Sequence, residues 1–391
     1  MIELIPPTNF DDALIAEFKA MGIRETYGKL AIDALGGGRF ASGLPNISRK
    51  RLAKHVKKLD DSGIDFNYIL NSPCYSAQEF TRSGRKAIRG LLDWLVSNGV
   101  KKVTVTIPYI LQIIKDAYPG LKVSVSTYAQ VDSYQKARYW QEIGADEITL
   151  LDTCLNRNFK LLKIIRGGIK VKLRLIGNTS CLPHCHLFQY HALLSAHGSQ
   201  TAYSNKAGFA VDYCAIYCKY LRLANPVNFI YSQWIRPEDL GIYEEAGIDA
   251  IKLIDRRCST ATLINITRSY HKRRYDGNLL DLLPAFQGKS PKNPGNLLLK
   301  IKYYFHPFES NIFKVMELDK QMKGLDIYID NAKLNGFIAG LRDKDCNYSS
   351  CPECGYCNKV ALEVIHCDSG YLERTAGIYK RILENIIKGK I

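Results

Sequence analysis

Short apolar, β-branched runs alternate along this chain with longer stretches in which apolar residues recur every three or four positions. The short runs predict strands at 29–34, 66–70, 102–106, 121–125, 147–151, 170–176, 227–231 and 250–254. Between them, stretches such as 83–98 and 132–143 have the periodicity of amphipathic helices. Ser97-Asn98-Gly99-Val100, Glu142-Ile143-Gly144-Ala145-Asp146 and Glu245-Ala246-Gly247-Ile248-Asp249 each set a glycine between a helical pattern and a strand. A left-handed residue there ends the helix. Eight strands alternating with helices over about 250 residues predict the α/β class and a (β/α)8 TIM-like barrel, whose chemistry gathers where the strands' C-terminal ends meet their loops.

The pattern changes after Arg274. Leu283-Pro284 and the Pro- and Lys-containing stretch 288–294 read as a boundary. The prediction is a barrel over residues 1–275 and, over 276–391, a cysteine-rich α+β extension with an aromatic run Tyr303-Tyr304-Phe305, a strand-like 325–329 and a helical tail at 371–387.

Composition narrows the class. With 391 residues, 46% of them hydrophobic, the chain can bury a large core without disulfide staples. The N-terminus has no basic stretch followed by an apolar one, and no run of about 18 apolar residues occurs. The expectation is a cytoplasmic protein with no membrane span. The net charge of +16 gathers in Ser48-Arg49-Lys50-Arg51, Lys57-Lys58 and His271-Lys272-Arg273-Arg274. Such runs fit either RNA phosphates or a solvated helix face, and no aromatic residues interleave with them as a single-strand platform requires.

The cysteines carry the chemistry. Cys181 and Cys185, Cys214 and Cys218, and the group Cys346, Cys351, Cys354 and Cys357 together hold eight of the twelve. Thiolates grouped at this spacing suit metal ligation. Cys214 and Cys218 lie one helical turn apart, as two ligands of one ion or cluster would. Four thiolates in the barrel group would close a structural zinc tetrahedron or bind an iron–sulfur cluster with a position open to substrate. The C-terminal C-x4-C-x2-C-x2-C resembles the runs that wrap a [4Fe–4S] cluster, with zinc as the alternative. The adenosylmethionine-cleaving signature C-x3-C-x2-C is incomplete, because Phe188 stands three after Cys185. His184, His186, His191 and His197 could supply a ligand or move a proton. Cys258 and Cys367 could replace a ligand, and Cys74 and Cys154 read as barrel-mouth thiols.

At the other strand ends, Arg39 beside Gly36-Gly37-Gly38 and Arg256 after Asp255 are candidates for holding an anion through their guanidinium forks. They follow the first and last predicted strands, neighbours in a closed barrel. The alternative is an arginine closing the mouth by pairing with Asp152 or Asp255. Asn71 and Asn178 could orient a substrate or cap loops. Neither G-x-S-x-G nor H-E-x-x-H is present.

The order of segments GGGR, FNYILNSPC, GVKKVTVTIPYI, LKVSVSTYAQV, GADEITLLDTCLNRNF, NTSCLPHC and GIDAIKLIDR resembles the collagenase-like peptidase family, U32, over roughly residues 25–260. The resemblance implies a barrel core and, as in several members, a [4Fe–4S] cluster on cysteines following the sixth strand. Members include proteins of oxygen-independent hydroxylation in ubiquinone synthesis and of tRNA uridine hydroxylation, with prephenate as oxygen donor. Cys181 matches the first family cysteine, and Cys214 and Cys218 in CAIYCKY match the later pair. Cys185 departs from the pattern, since several members have a longer gap. The functional expectation is an iron–sulfur enzyme of one or two clusters, hydroxylating or otherwise modifying a tRNA, peptide or small aromatic substrate, with a prephenate-like anion as ligand. The alternatives are a metal-dependent peptidase and a non-catalytic cluster-bearing partner.

Overall fold

The computed structural model describes residues 2–201, 211–286, 311, 313–314, 324–344, 346 and 351–390. The expected boundary stretch 288–294 and the aromatic run 303–305 lie outside the described residues. Eight strands form one parallel sheet: β1 (Glu3–Ile5), β2 (Glu25–Gly28), β3 (Asp65–Leu70), β4 (Lys102–Val105), β5 (Lys122–Val125), β6 (Glu147–Thr149), β7 (Lys172–Ile176) and β8 (Ala250–Lys252). Neighbours follow chain order from β2 to β8, and β1 pairs with β8 in the register Glu3–Ala250, Leu4–Ile251, Ile5–Lys252. A parallel bridge between Pro7 and Tyr27, with the Thr8 N–H donating to Tyr27 O at 3.0 Å, joins β1 to β2. The result is the (β/α)8 barrel.

Two of its strands differ from those expected. The segment 29–34 is loop, and the strand is β2 just before it. Its inward residues include Glu25, whose charge is cancelled inside the barrel, so the apolar pattern misses it. β1 is also missed, because it has three residues and runs into Pro6-Pro7, a turn signal. Conversely 227–231 is not a strand but the helix Val227–Tyr231. A five-residue apolar run does not tell the two apart, and Pro226, at φ −58°, starts a turn in which the Phe229 N–H donates to Pro226 O at 2.9 Å. The first cysteine pair therefore follows the seventh strand, not the sixth. β1 also separates β8 from β2, so the strands ahead of Arg256 and Arg39 flank it and are not neighbours.

The helices expected at 83–98 and 132–143 are Arg82–Ser97 and Tyr134–Glu142, capped by Thr81 and Ser133, whose side chains accept from the Gly84 and Lys136 N–H groups. Gly144, at φ +101°, ends the second, and Gly99 and Gly247 do the same at the other two junctions.

Inside the N-terminal half of the barrel, Glu25 on β2 accepts from Arg174 on β7 at 2.9 Å and from Lys102 on β4. These strands are not adjacent, so the contacts cross the interior. Lys102 and Arg174 also pair with Glu147 on β6, and Asn67 Nδ2 donates to Glu25 at 2.9 Å. Above this ionic layer sit Ile5, Tyr27, Ile69 and Ala250.

In the extension, Tyr328–Ile329 pairs antiparallel with Ile365–His366. The helix Ser369–Ile387 packs along Tyr213–Ala224, and Tyr356–Val364 packs on Val227–Tyr231. Leu334, Phe337, Val364, Tyr379 and Leu383 join the same apolar core as the barrel. Among the described residues, no helix is long and apolar enough to cross a membrane.

Candidate functional site at the barrel mouth

Cys181 and Cys185 lie in the loop after β7, and Cys214 and Cys218 lie one turn apart on Tyr213–Ala224. The Asp212 side chain caps this helix by accepting from the Ala215 N–H. Folding brings the four thiols into one another's field: Cys218 and Cys185 both act on Cys181, and both act on Cys214. Burial, first, pushes the Cys181, Cys185 and Cys214 thiols up, Cys214 to about 12, and the neighbouring sulfurs and acids add to it. A metal ion would reverse that, because coordination expels the thiol protons. Arg222 Nη1 donates to Cys218 Sγ at 2.7 Å and to Cys218 O at 2.9 Å, while its guanidinium lies 5.0 Å from the Phe286 ring centre. A sulfur-rich donor set beside a buried guanidinium fits an anionic metal–thiolate centre. Of the four histidines, His191 joins this group: its ring nitrogen, an Asp212 oxygen and Cys214 Sγ fall within 4.8 Å of one another.

The second group gathers around a turn at Gly355, φ +62°, between the helices Cys351–Cys354 and Tyr356–Val364. Burial raises Cys357 to about 11, Arg157 opposes it, and Cys346, Cys351 and Cys354 reinforce it. The other three thiols thus lie within electrostatic reach of Cys357. They face the barrel through Tyr231, whose hydroxyl hydrogen-bonds Cys351.

At the mouth itself, Arg39 Nε donates to Asp255 Oδ2 at 2.8 Å, the pairing weighed above as the alternative to anion binding. Arg257, which the sequence reading did not single out, shares Asp255 at 2.8 Å. Burial opposes ionisation of Asp255, yet Arg257 and Arg39 hold its carboxyl well below the usual range. Arg256 is buried, and its Nη1 has no hydrogen-bond partner among the described residues. Lys29 Nζ, by contrast, forms a buried ion pair with Asp33 Oδ2 at 2.8 Å. Lys252, at the end of β8, places Nζ 4.0 Å from the Tyr27 ring centre, and burial followed by Arg174 draws its pKa down to about 7.

Asn71 and Asn178 have loop roles. Asn71 accepts from the Gly38 N–H at 3.1 Å and donates to Ser126 Oγ at 3.2 Å. Asn178 accepts from the Ile254 N–H at 2.7 Å and donates to the Ile254 and Leu282 carbonyls. The Gly-rich turn folds under Tyr128, where a Cβ on Gly38 would lie 2.5 Å from the ring. Asp152 is buried and hydrogen-bonded by Thr127 at 3.0 Å, burial pushes its carboxyl up, and it acts on Cys181. Tyr128 feels both Arg39 and Cys181. The thiols and the cations thus share one mouth. Lys29 and Lys252 had a signal in the sequence: each is a lone lysine beside apolar strand residues, in YGKLA and AIKLI.

The model of peptidase family U32 matches residues 36–162. A protein named uncharacterized protease MJ1657, from Methanocaldococcus jannaschii, is 28% identical over 333 residues, 85% of this chain and 86% of its own. The chain is thus similar to peptidase family U32. The solved U32 peptidase Mk0906 is 20% identical and covers 65% of this chain and 93% of its own, with a TM-score of 0.49. The U32 match spans the Gly-rich turn at 36–38 and Asp152, whereas all eight grouped cysteines lie outside it.

Proposed function

We propose that this chain, similar to peptidase family U32, is an iron–sulfur enzyme that holds an anionic substrate or oxygen donor at the barrel mouth and modifies a second substrate there without molecular oxygen. The carrying observation is the convergence, at one mouth, of four thiols with the buried guanidinium of Arg256, whose Nη1 lacks a hydrogen-bond partner among the described residues. Cys181, Cys185, Cys214 and Cys218 would hold a [4Fe–4S] cluster, and such a cluster supplies one-electron chemistry next to the anion. Cys346, Cys351, Cys354 and Cys357 would hold a second cluster or zinc. Arg256 and Lys29 would bind the anion, with Lys252 and Arg39 adding charge. Asp152 would stand beside this site near Cys181, its carboxyl pushed up by burial and held by Thr127. Prephenate-like acids are the first ligands to try, on the resemblance alone. The charge of +16 makes tRNA a better second substrate than a neutral peptide.

Anaerobically purified protein is expected to contain iron and acid-labile sulfide. Cys181→Ala, Cys214→Ala and Cys218→Ala should each lose one centre and keep the other. Colourless, sulfide-free protein after anaerobic reconstitution, or unchanged iron in all three variants, overturns the assignment.

A second reading, thiol hydrolysis, has one observation in its favour: Cys154 Sγ lies 3.4 Å from His184 Nδ1. Against it, burial raises the Cys154 thiol, and Asp132 and Asp152 push the same way, whereas a nucleophile needs the thiolate. Alkylation with iodoacetamide decides. Preferential labelling of Cys154 at neutral pH with loss of peptide cleavage would favour hydrolysis.

A further inference from the structure

Arg157, in the loop after β6, is only 6% exposed. Its guanidinium is enclosed by aromatic rings, 4.6 Å from the centre of Trp234 and 5.1 Å from that of Phe337. Nη1 donates to Ile230 O at 2.6 Å, but Nε and Nη2 have no hydrogen-bond partner among the described residues. The carboxylate of Asp239 is already taken by Arg236, at 2.8 and 3.0 Å. The same Phe337 ring stacks on Tyr356 at 5.5 Å, next in the chain to Cys357, and Cys357 is the strongest electrostatic partner of Arg157, followed by Tyr243 and Cys346 and only then Asp239.

A buried guanidinium without a counter-charge is costly, and neutral thiols cannot compensate it. Four thiolates around a zinc ion, or around a [4Fe–4S] core of the same 2+ charge, leave two negative charges on the centre. We propose that Arg157 is the counter-ion of an anionic metal–thiolate centre formed by Cys346, Cys351, Cys354 and Cys357. It is a positioning residue that ties occupancy of this centre to the barrel wall. The inference rests on reading these cysteines as ligands but not on which metal they hold, since both metals leave the same charge.

The test uses the full chain in four forms: wild type, Arg157→Met, the pair Cys351→Ala with Cys354→Ala, and all three changes together. Metal per chain, affinity by chelator competition and the thermal midpoint are measured for each, with Arg157→Lys as a charge-keeping control. Arg157→Met should weaken metal retention by about 10–100-fold, the usual effect of losing an outer-shell partner. Arg157→Lys should fall between it and wild type. The midpoint should shift in opposite directions. Arg157→Met lowers it when the centre is filled, and raises it in the paired-alanine background, where the guanidinium has no counter-charge. Equal metal in wild type and the cysteine pair variant would overturn the ligand assignment and the inference with it. Metal present at these cysteines, but with affinity and midpoint shift unaffected by Arg157→Met, would overturn the role of Arg157 alone.

Discussion

Two charged regions are stacked inside this barrel, made of the same residue types and finished differently. In the N-terminal half, Glu25 and Glu147 meet Lys102 and Arg174, two charges of each sign, with Asn67 and Ser124 adding hydrogen bonds to the carboxylates and Arg174 Nε left without one among the described residues. Burial opposes ionisation of Glu25, but Arg174 and Lys102 outweigh it and hold the carboxyl below the usual range. At the C-terminal mouth, cations outnumber carboxylates: Lys29, Arg39, Lys252, Arg256 and Arg257 face Asp33, Asp152 and Asp255, and Arg256 Nη1 is left without a hydrogen bond among the described residues. The closed layer supports the fold. The open one is prepared for a charge that the chain does not supply.

The largest effect should come from breaking the closed layer. Glu25→Gln leaves Arg174 and Lys102 short of one carboxylate in the interior, a change that costs about 3–5 kcal/mol. Denaturant unfolding should show it, and Arg256→Met at the mouth should by contrast leave stability unchanged or improved. Equal losses in the two variants would erase the distinction. The acid limb sharpens it. A carboxyl with a lowered folded pKa contributes stability above its unfolded value, near 4.5, and that contribution disappears as pH falls through the folded value. Wild type should therefore lose stability below pH 4.5 more steeply than Glu25→Gln.

The same contrast explains what the sequence revealed. Strands β3 to β8 and the junctions at Gly99, Gly144 and Gly247 were legible because their signals are local: apolar runs, helical spacing and a left-handed stop. β2 was not, because the charge on Glu25 is cancelled by Arg174, 149 positions away. The helix Val227–Tyr231 was misread for a related reason. It forms the wall on which the C-terminal cysteine segment packs, so its state is set by tertiary contacts and by Pro226 rather than by its own residues. In the site, cysteine spacing announced the two thiol groups but not their neighbours. Arg39 and Arg256 read alike in sequence, yet Arg39 is committed to Asp255 while Arg256 keeps an unsatisfied donor. Lys29, Lys252 and Arg157 gain their interest only from where folding leaves them.

That division between the two arginines predicts the next effect in size. Arg256→Met should weaken binding of prephenate or a comparable small dicarboxylate by roughly tenfold or more, the worth of a hydrogen bond to a charged group. Arg39→Met should change affinity less and stability more, because it strips a partner from buried Asp255. Calorimetric titration of both variants is the check. Equal losses of affinity would mean that Arg39 leaves Asp255 for the ligand and that the mouth rearranges on binding.

The smallest effect is in pH. Lys252 has a folded pKa of about 7, against an ordinary value of 10.5, because burial and then Arg174 disfavour its charge, with Arg256 and Arg39 adding to the repulsion and Glu25 opposing it. Between those two values the unfolded chain carries more protons at this position, so stability should rise with pH across that window. Ligand binding should run the other way. An anion seated among Arg256, Lys29 and Lys252 favours the protonated amine, so its affinity should fall a few-fold as pH rises from 6 to 8, and binding near pH 7.5 should take up protons. Calorimetry in buffers of differing ionisation heat measures that uptake directly. Lys252→Met should flatten the profile and abolish the uptake. A proton count of zero in wild type would place the anion away from Lys252 and move the open layer's boundary to Arg256.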